Sequence, residues 1–253
     1  MRIALFTLES ALSAEAVEAF LRAHGDRVVL VGRSDPFRPG AGGPVGQAWR
    51  HLRRSGPRLL PYLAVNYALH PARGRLAGFG LPVVEVADVN GPAMAAAIRA
   101  ARPDLLVSLH FDQIFGAETL ALAPRGGINL HPSLLPRHRG PVPTIWALAE
   151  PEPCFGVTVH RLVPRIDAGA ILAQREVPLP PGTTASAAAR ALHLAGVPLL
   201  AEAIARPSLG REVTPLPYCP FPPPDLLRRL AQQRRRLADR KDLRLALRLA
   251  RLD

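Results

Sequence analysis

The sequence predicts an α/β fold: a doubly wound, mostly parallel sheet followed by a short C-terminal helical appendage. Two observations carry this. Short apolar runs alternate with segments of helical spacing along the first four fifths of the chain, and strands alternating with helices favour a parallel sheet covered on both faces. After Arg206 the composition changes, with Pro215, Pro217, Pro220, Pro222, Pro223 and Pro224 crowded together. The expected division is a main domain over residues 1–206 and a Pro-rich arm with a basic helical appendage over 207–253.

The elements follow in order. Arg2–Leu8 and Arg27–Val31 read as strands. Between them Ala14–His24 has helical spacing, with Val17, Phe20 and Leu21 on one face, Ser13 placed as N-cap and His24-Gly25 as its close. Arg33 to Gly46 is rich in Gly and Pro and reads as a loop. Val45–Leu69 is expected to be partly helical, interrupted by Pro57 and Pro61. Pro82–Val86 reads as a strand, Pro92–Arg102 as a helix, Leu105–His110 as a buried strand and Gly127–Leu130 as a short one. Cys154–Leu162 and Ala170–Val177 read as strands, and Thr184–Arg206 as a long helix. In the tail, Asp225 is placed to cap a helix carrying Leu226, Leu227 and Leu230. Asp242 is placed to cap one carrying Leu243 and Leu247, with Leu249 or Leu252. These leucines are expected to dock on the main domain or on a second copy as a homodimer, leaving Arg234–Arg236 toward solvent or the site entrance.

Composition narrows the class. The 253 residues suffice for a full core, so neither disulfides nor a structural metal is required. The two cysteines, Cys154 and Cys219, lie far apart without metal-ligand spacing, so no metal site is expected. The N-terminal apolar run is short for a signal peptide, and no run is read as reaching the ~18 residues of a membrane span. A soluble, cytoplasmic protein without a membrane partner is the expectation. The net charge is +12, and residues 206–253 hold twelve Lys and Arg against five Asp and Glu. A basic tail can attract nucleic acid. Lys241 is the only lysine, however; such a preference for Arg beside abundant Ala, Pro and Gly resembles GC-rich coding and argues against nucleic acid as the partner.

The chemistry concentrates in two stretches. The first is Asn129-Leu130-His131-Pro132-Ser133-Leu134-Leu135-Pro136-Arg137-His138-Arg139-Gly140. Strand periodicity puts Asn129 and His131 on one face, at the end of a buried strand. That is where open α/β sheets bind ligands. The second runs through Gly156-Val157-Thr158-Val159-His160 to Ile166-Asp167-Ala168-Gly169-Ala170-Ile171. An amide donor, an imidazole and a carboxylate form a set suited to acyl transfer to an amine.

Together these patterns, N-x-H-P-S-L-L-P-x-x-R-G, G-x-T-x-H and D-x-G-x-I, resemble the folate-dependent formyltransferase family. The resemblance runs from about Pro103 to Val177 and less closely to Arg206. It implies a Rossmann-like catalytic domain and 10-formyltetrahydrofolate as co-substrate. Asn129, His131 and Asp167 would be the catalytic residues, with Ser133, Thr158 and His160 in support. Phe111, Gln113, Ile114 and Phe115 would hold the pterin from one side, and Leu162, Val163, Arg165 and Ile166 would close the other. In the implied mechanism Asn129 and a protonated His131 stabilise a tetrahedral oxyanion, while Asp167 raises the His131 pKa and relays a proton through water.

Several positions bear on the acceptor. Glycinamide ribonucleotide formyltransferases carry a Gly-Ser-Asn phosphate loop where this chain has Thr7-Leu8-Glu9-Ser10-Ala11-Leu12-Ser13. Glu9 there would repel a phosphate. Methionyl-tRNA formyltransferases carry a Gly-Thr-Pro turn, a further C-terminal domain and usually Met at the place of His160. His138 replaces a usual Tyr or Trp. The Pro143-Thr144-Ile145-Trp146-Ala147-Leu148 segment resembles the sugar-type enzymes. The acceptor expected is therefore a small primary amine, an amino sugar nucleotide or an amino-acid side chain. The alternatives are a formyltetrahydrofolate hydrolase, a methionyl-tRNA formyltransferase-like enzyme, and a non-catalytic RNA-binding protein.

Overall fold

The computed structural model describes residues 1–8, 10–35, 37, 42–68, 76, 78–206 and 210–250. Glu9, Leu69, Leu252 and part of the Arg33–Gly46 loop lie outside the described residues. Seven strands form one sheet: β1 (Ile3–Leu8), β2 (Val28–Ser34), β3 (Val83–Glu85), β4 (Leu105–Leu109), β5 (Gly127–His131), β6 (Gly156–Arg161) and β7 (Ile171–Glu176). Their order is β3-β2-β1-β4-β5-β6-β7. The first five are parallel, and β6 and β7 add antiparallel pairings. The order reverses at β1 and β4, which opens the ligand crevice beyond their carboxyl ends.

The short strands are apolar on both faces because both are covered. Ile3 and Leu5 enter one apolar cluster with α1 (Ala14–His24), whereas Ala4 and Phe6 enter another on the opposite face. Leu105, Val107 and Leu109 likewise oppose Leu106. This two-faced burial is what a doubly wound parallel sheet imposes. The second face is covered by Met94 and Ile98 of the helix α4 (Pro92–Ala101).

The helices differ in detail from the sequence reading. Ser13 sits at the α1 N-cap but its side chain makes no cap bond there; its Oγ instead meets His110 Nδ1 at 2.8 Å. Gly25 stays right-handed, so α1 runs on into a 3-10 turn. Pro57 separates α2 (Gly43–Ser55) from α3 (Leu60–Tyr67), but Pro61 lies in the first turn of α3, where a missing N–H costs nothing. Two short helices, α5 (Ala117–Leu120) and α6 (Pro143–Leu148), flank β5 in sequence. The long helix α7 (Ala185–Ala205) starts at Thr184, whose Oγ1 accepts the Ala187 N–H at 3.0 Å. Contrary to the sequence reading, α7 is long and apolar enough to cross a membrane by length and composition; 56% of that stretch is buried inside the fold, as in a core helix.

The Pro-rich arm lies against the main sheet and its loops. Arg211 bridges Ile171, and the Cys219 N–H donates to the Arg139 carbonyl at 2.7 Å. The arm leads to α8 (Pro224–Gln232), which buries Leu226, Leu227 and Leu230 in the main core. Asp225 is not its cap: the helix begins at Pro224 and Asp225 pairs with Arg229 one turn on. Arg235 does not face solvent freely; its guanidinium donates to the carbonyls of Leu148, Glu150 and Pro151. In the last helix, α9 (Arg240–Ala250), the cap is Asp239. Asp239 Oδ1 accepts the Asp242 N–H at 3.1 Å while Asp242 Oδ2 accepts the Asp239 N–H at 2.8 Å, a reciprocal capping pair. The buried stripe of α9 is Asp242, Ala246 and Leu249, one helical face at i, i+4 and i+7; Leu243 and Leu247, one position on, stay exposed.

Candidate active site

Strand β5 ends at His131 and is paired with β6 so that Asn129 lies opposite His160 and His131 opposite Thr158. Directly opposed residues share a sheet face. All four side chains therefore converge, and Asp167 reaches them from the turn after β6. Asn129 Nδ2 donates to His160 Nε2 at 3.1 Å, and His160 Nδ1 donates to the Arg161 carbonyl at 2.8 Å. The second bond places the proton of a neutral His160 on Nδ1, so Nε2 offers a lone pair. That lone pair takes one of the two Asn129 amide protons and leaves the other for the site. His160 is thus in direct contact with the centre of the cluster.

The tautomer of His131 follows by the same argument. Its Nε2 lies 3.1 Å from the His138 carbonyl, which can only accept, so the neutral ring carries its proton there. Nδ1 is then the basic atom, 3.6 Å from Asp167 Oδ2. The sequence reading expected Asp167 to raise the His131 pKa and keep the ring protonated. Burial prevails instead: it lowers the His131 pKa from 6.5 despite the pull of Asp167. For Asp167, burial pushes the carboxyl up, but His131, His160 and the Gly140 N–H outweigh it and hold the pKa at about 2. The site at neutral pH therefore pairs a neutral imidazole with a carboxylate.

The Asp167 backbone is held in the left-handed region, at φ 45°, which an aspartate tolerates better than most residues. Arg139 explains how. It is 3% exposed, and its guanidinium donates to the carbonyls of Ile166, Asp167 and Leu216. One buried side chain so ties the β5 loop, the Asp167 turn and the Pro-rich arm together. The sequence reading assigned Arg139 no role, although it is the Arg of the R-G pair in the quoted motif. Gly140 beside it donates its N–H to Asp167 Oδ2 at 2.9 Å. With φ 132°, a Cβ here would stand 2.1 Å from the Cys219 carbonyl oxygen. Gly140→Ala is expected to push the arm away and destabilise the fold by about 1–3 kcal/mol, the range for local backbone strain, measured by chemical denaturation.

A cavity of about 350 Å³ passes through this cluster. Its wall includes Phe111, Ile114 and Phe115 after β4 and Leu162, Val163 and Ile166 after β6. Ile114 is 50% exposed. Tyr67, His110, Thr144 and His193 also line it, with Arg54, Tyr218 and Phe221. Tyr218 and Phe221 belong to the arm, whose part in the wall the sequence reading missed because proline spacing carries no information about docking.

The remaining named residues divide. Gln113 lines the cavity, but its amide is spent on Val89 N–H, Ser34 Oγ and the Val86 carbonyl, so it ties the loop down. Ser133 Oγ donates to the Arg137 carbonyl, and Thr158 Oγ1 donates to the Ser133 carbonyl, bracing the turn after β5. Arg165 is exposed and is not among the residues that line the cavity, whereas Ile166 is. His138, in place of the usual aromatic residue, bonds Glu150 through Nε2 at 2.9 Å. Among the described residues no group of His, Cys, Asp and Glu could hold a metal ion.

Burial also lowers the pKa of His110, and that of His193 to about 4. For these and for His131 the folded pKa lies below the unfolded one, so the unfolded chain takes up protons first. Their stabilising contribution is complete above pH ~6.5 and is lost as pH falls through each folded pKa, which for His193 is about 4. The His193 shift alone is worth about 3 kcal/mol. Unfolding free energy is expected to fall steeply between pH 6.5 and 4, with a smaller slope in His193→Gln; the Asp167 contribution is lost at lower pH, near 2.

Comparison with known proteins agrees with this arrangement. Residues 77–204, half of the chain, match the family described as formyl transferase. A methionyl-tRNA formyltransferase of Roseiflexus castenholzii is 37% identical over 147 residues, 58% of this chain and 47% of the relative. The chain thus spans about half the length of that curated relative. Among solved structures, a glycinamide ribonucleotide transformylase of Symbiobacterium toebii superposes with a TM-score of 0.58 at 21% identity, covering 81% of this chain and 85% of that one. A sugar N-formyltransferase of Shewanella superposes with a TM-score of 0.57 at 19% identity, covering 99% and 88%. These likenesses support the fold, and the family match places the strands and turns that carry Asn129, His131, His160 and Asp167 within one known lineage: the chain belongs to the formyl transferase family.

Proposed function

We propose that this protein is an N-formyltransferase that moves a formyl group from 10-formyltetrahydrofolate to the primary amine of a small biosynthetic substrate, such as an amino sugar nucleotide or an amino-acid side chain. The observation that carries the reading is the convergence of Asn129, His131, His160 and Asp167 in one cavity whose wall holds both apolar side chains and hydrogen-bonding groups. The apolar lining fits the reacting end of a reduced folate: Phe111, Ile114 and Phe115 would face one side of the pterin and Leu162, Val163 and Ile166 the other. The folate supplies an activated formyl carbon. Asn129 directs its second amide N–H at the oxygen on which charge develops. His131 Nδ1 takes the proton that the amine loses and Asp167 balances the imidazolium so formed; the same proton then passes to the folate nitrogen as its bond to the formyl carbon breaks and tetrahydrofolate leaves.

The fuller coverage by the sugar N-formyltransferase, which extends through the arm and appendage, supports a small acceptor. The identity with a methionyl-tRNA formyltransferase favours a second reading, an aminoacyl-tRNA acceptor. One assay separates them. The protein is incubated with 10-formyltetrahydrofolate and a panel of amino sugar nucleotides, amino acids and methionyl-tRNA, and formyl products are followed by mass spectrometry. Formylation of a small amine is expected. Formylation of methionyl-tRNA alone would establish the second reading, and release of formate alone would establish a hydrolase.

A further inference from the structure

For His131 Nδ1 to act as the base, the proton of the neutral ring must sit on Nε2. The neighbours of the ring compete for that proton. A carboxylate accepts a hydrogen bond more strongly than a neutral carbonyl, so Asp167, held ionised with a pKa of about 2, would by itself draw the proton to Nδ1. Its Oδ2 stands 3.6 Å from Nδ1, beyond hydrogen-bond distance, whereas the His138 carbonyl stands 3.1 Å from Nε2. The nearer acceptor prevails. The tautomer of His131 therefore depends on where the loop after β5 holds one backbone oxygen.

That oxygen belongs to a residue in an unfavourable backbone state. His138 has φ 54°, in the left-handed region that side chains other than glycine enter when surrounding contacts hold them there. The residues beside it are fastened separately: Ser133 Oγ donates to the Arg137 carbonyl at 2.9 Å, and Arg139 is tied to the Asp167 turn. His138 itself is fastened through its side chain. Its Nε2 donates to Glu150 Oε1 at 2.9 Å, and the two side chains are only 10% and 25% exposed. Burial lowers the His138 pKa from 6.5 despite the pull of Glu150, so at neutral pH the ring is a neutral donor. Glu150 is fixed in turn. Its Oε2 pairs with Arg137, and Arg235 of the appendage donates to its carbonyl and to those of Leu148 and Pro151. A line of contacts thus runs from the appendage through Glu150 and His138 to His131 Nε2.

We propose that His138 and Glu150 are positioning residues for His131: their pairing holds the His138 carbonyl at Nε2, fixes the ring proton there and reserves Nδ1, beside Asp167, as the base. Without the pair the carbonyl leaves Nε2. The proton then moves to Nδ1, where Asp167 holds it, and the nitrogen that must accept the amine's proton is already filled. The tautomer is a property of the free protein; its effect on the rate rests on the formyl-transfer reading.

The test is ring-nitrogen NMR on the full chain at a pH well above 6.5, where His131 is neutral. Wild-type His131 should carry its proton on Nε2. Glu150→Leu, which removes the acceptor for His138, should move it mainly to Nδ1. Glu150→Gln, whose amide oxygen still accepts from His138, should restore the wild-type pattern. Affinity for 5-formyltetrahydrofolate, read by calorimetry, should change less than about twofold in both variants, too little to mark a lost contact. With the amine that the acceptor panel identifies, kcat of Glu150→Leu should fall about tenfold at unchanged KM, as when about a tenth of the molecules keep the competent tautomer. Glu150→Gln should recover most of that loss. A proton on Nδ1 in the wild type, the same tautomer in wild type and Glu150→Leu, or a moved proton with unaltered kcat each overturns the positioning role. Tautomers as expected with no formyl transfer to any amine would overturn the formyl-transfer reading while bearing out the hold on the ring. If Glu150→Leu does not fold, His138→Asn replaces it: asparagine accepts the left-handed backbone but is too short to reach Glu150. The proton must move there too, and an unchanged tautomer overturns the role.

Discussion

His131→Ala is expected to lower turnover at least ~100-fold, the low end of what a positioned acid or base contributes, with the fold retained. Two features support so large an effect. Nδ1 faces Asp167 and is the basic nitrogen of the ring, and burial keeps the ring neutral at neutral pH. The pH dependence then has a definite sign. A base must be deprotonated, so the rate stays flat through neutral pH and falls as pH drops through the His131 pKa, below 6.5. A rate that instead rises on acidification would show that the protonated ring is the working form. Asn129→Ala removes a donor from the developing oxyanion and should cost a similar factor, roughly 2.7–4 kcal/mol in the barrier. Near-normal steady-state turnover in either variant would remove the assignment.

The largest effect on stability is expected at Asp242→Ala, far from the chemistry. Asp242 is 1% exposed, accepts from Thr184 Oγ1 at 2.8 Å and pairs with Arg190 of α7. Removing it breaks the reciprocal bond to the Asp239 N–H, takes the acceptor from the Thr184 hydroxyl and leaves the Arg190 cation without this counter-ion. Arg190 Nη1 already lacks a hydrogen-bond partner among the described residues. Breaking one side of a buried pair costs about 3–5 kcal/mol, read as a lowered denaturant midpoint. Asp225→Ala, in an exposed pair with Arg229, is the control and should change stability by less than about 1 kcal/mol.

Much of the fold was legible in the sequence because it depends on local periodicity. Apolar runs became strands within a residue or two of where the pattern placed them, except that β2 runs three residues past Val31 to Ser34, and Ala14–His24 matched the observed helix. The exchange from parallel to antiparallel pairing at β6 was not legible, since strand patterns look alike in either direction. Helix caps were also misread at Ser13, Asp225 and Asp242: a Ser or Asp near a helix start satisfies the pattern whether it bonds the backbone or a distant partner.

The same boundary runs through the site. Asn129, His131 and Asp167 could be picked from spacing and resemblance, because strand alternation alone puts Asn129 and His131 on one face and the turn glycine Gly169 marks the place of Asp167. Cross-strand register decided that His160 faces Asn129. Docking of the arm decided that Tyr218 and Phe221 wall the cavity, and a single buried Arg139 decided how three distant segments meet. The sequence by itself determined which chemical groups the chain brings to its strand ends. Only the tertiary structure decided their protonation and their hydrogen-bond partners, such as a neutral His131 whose Nε2 meets the His138 carbonyl. The protonation follows from desolvation and from those partners, and the desolvation is set by residues distant in sequence.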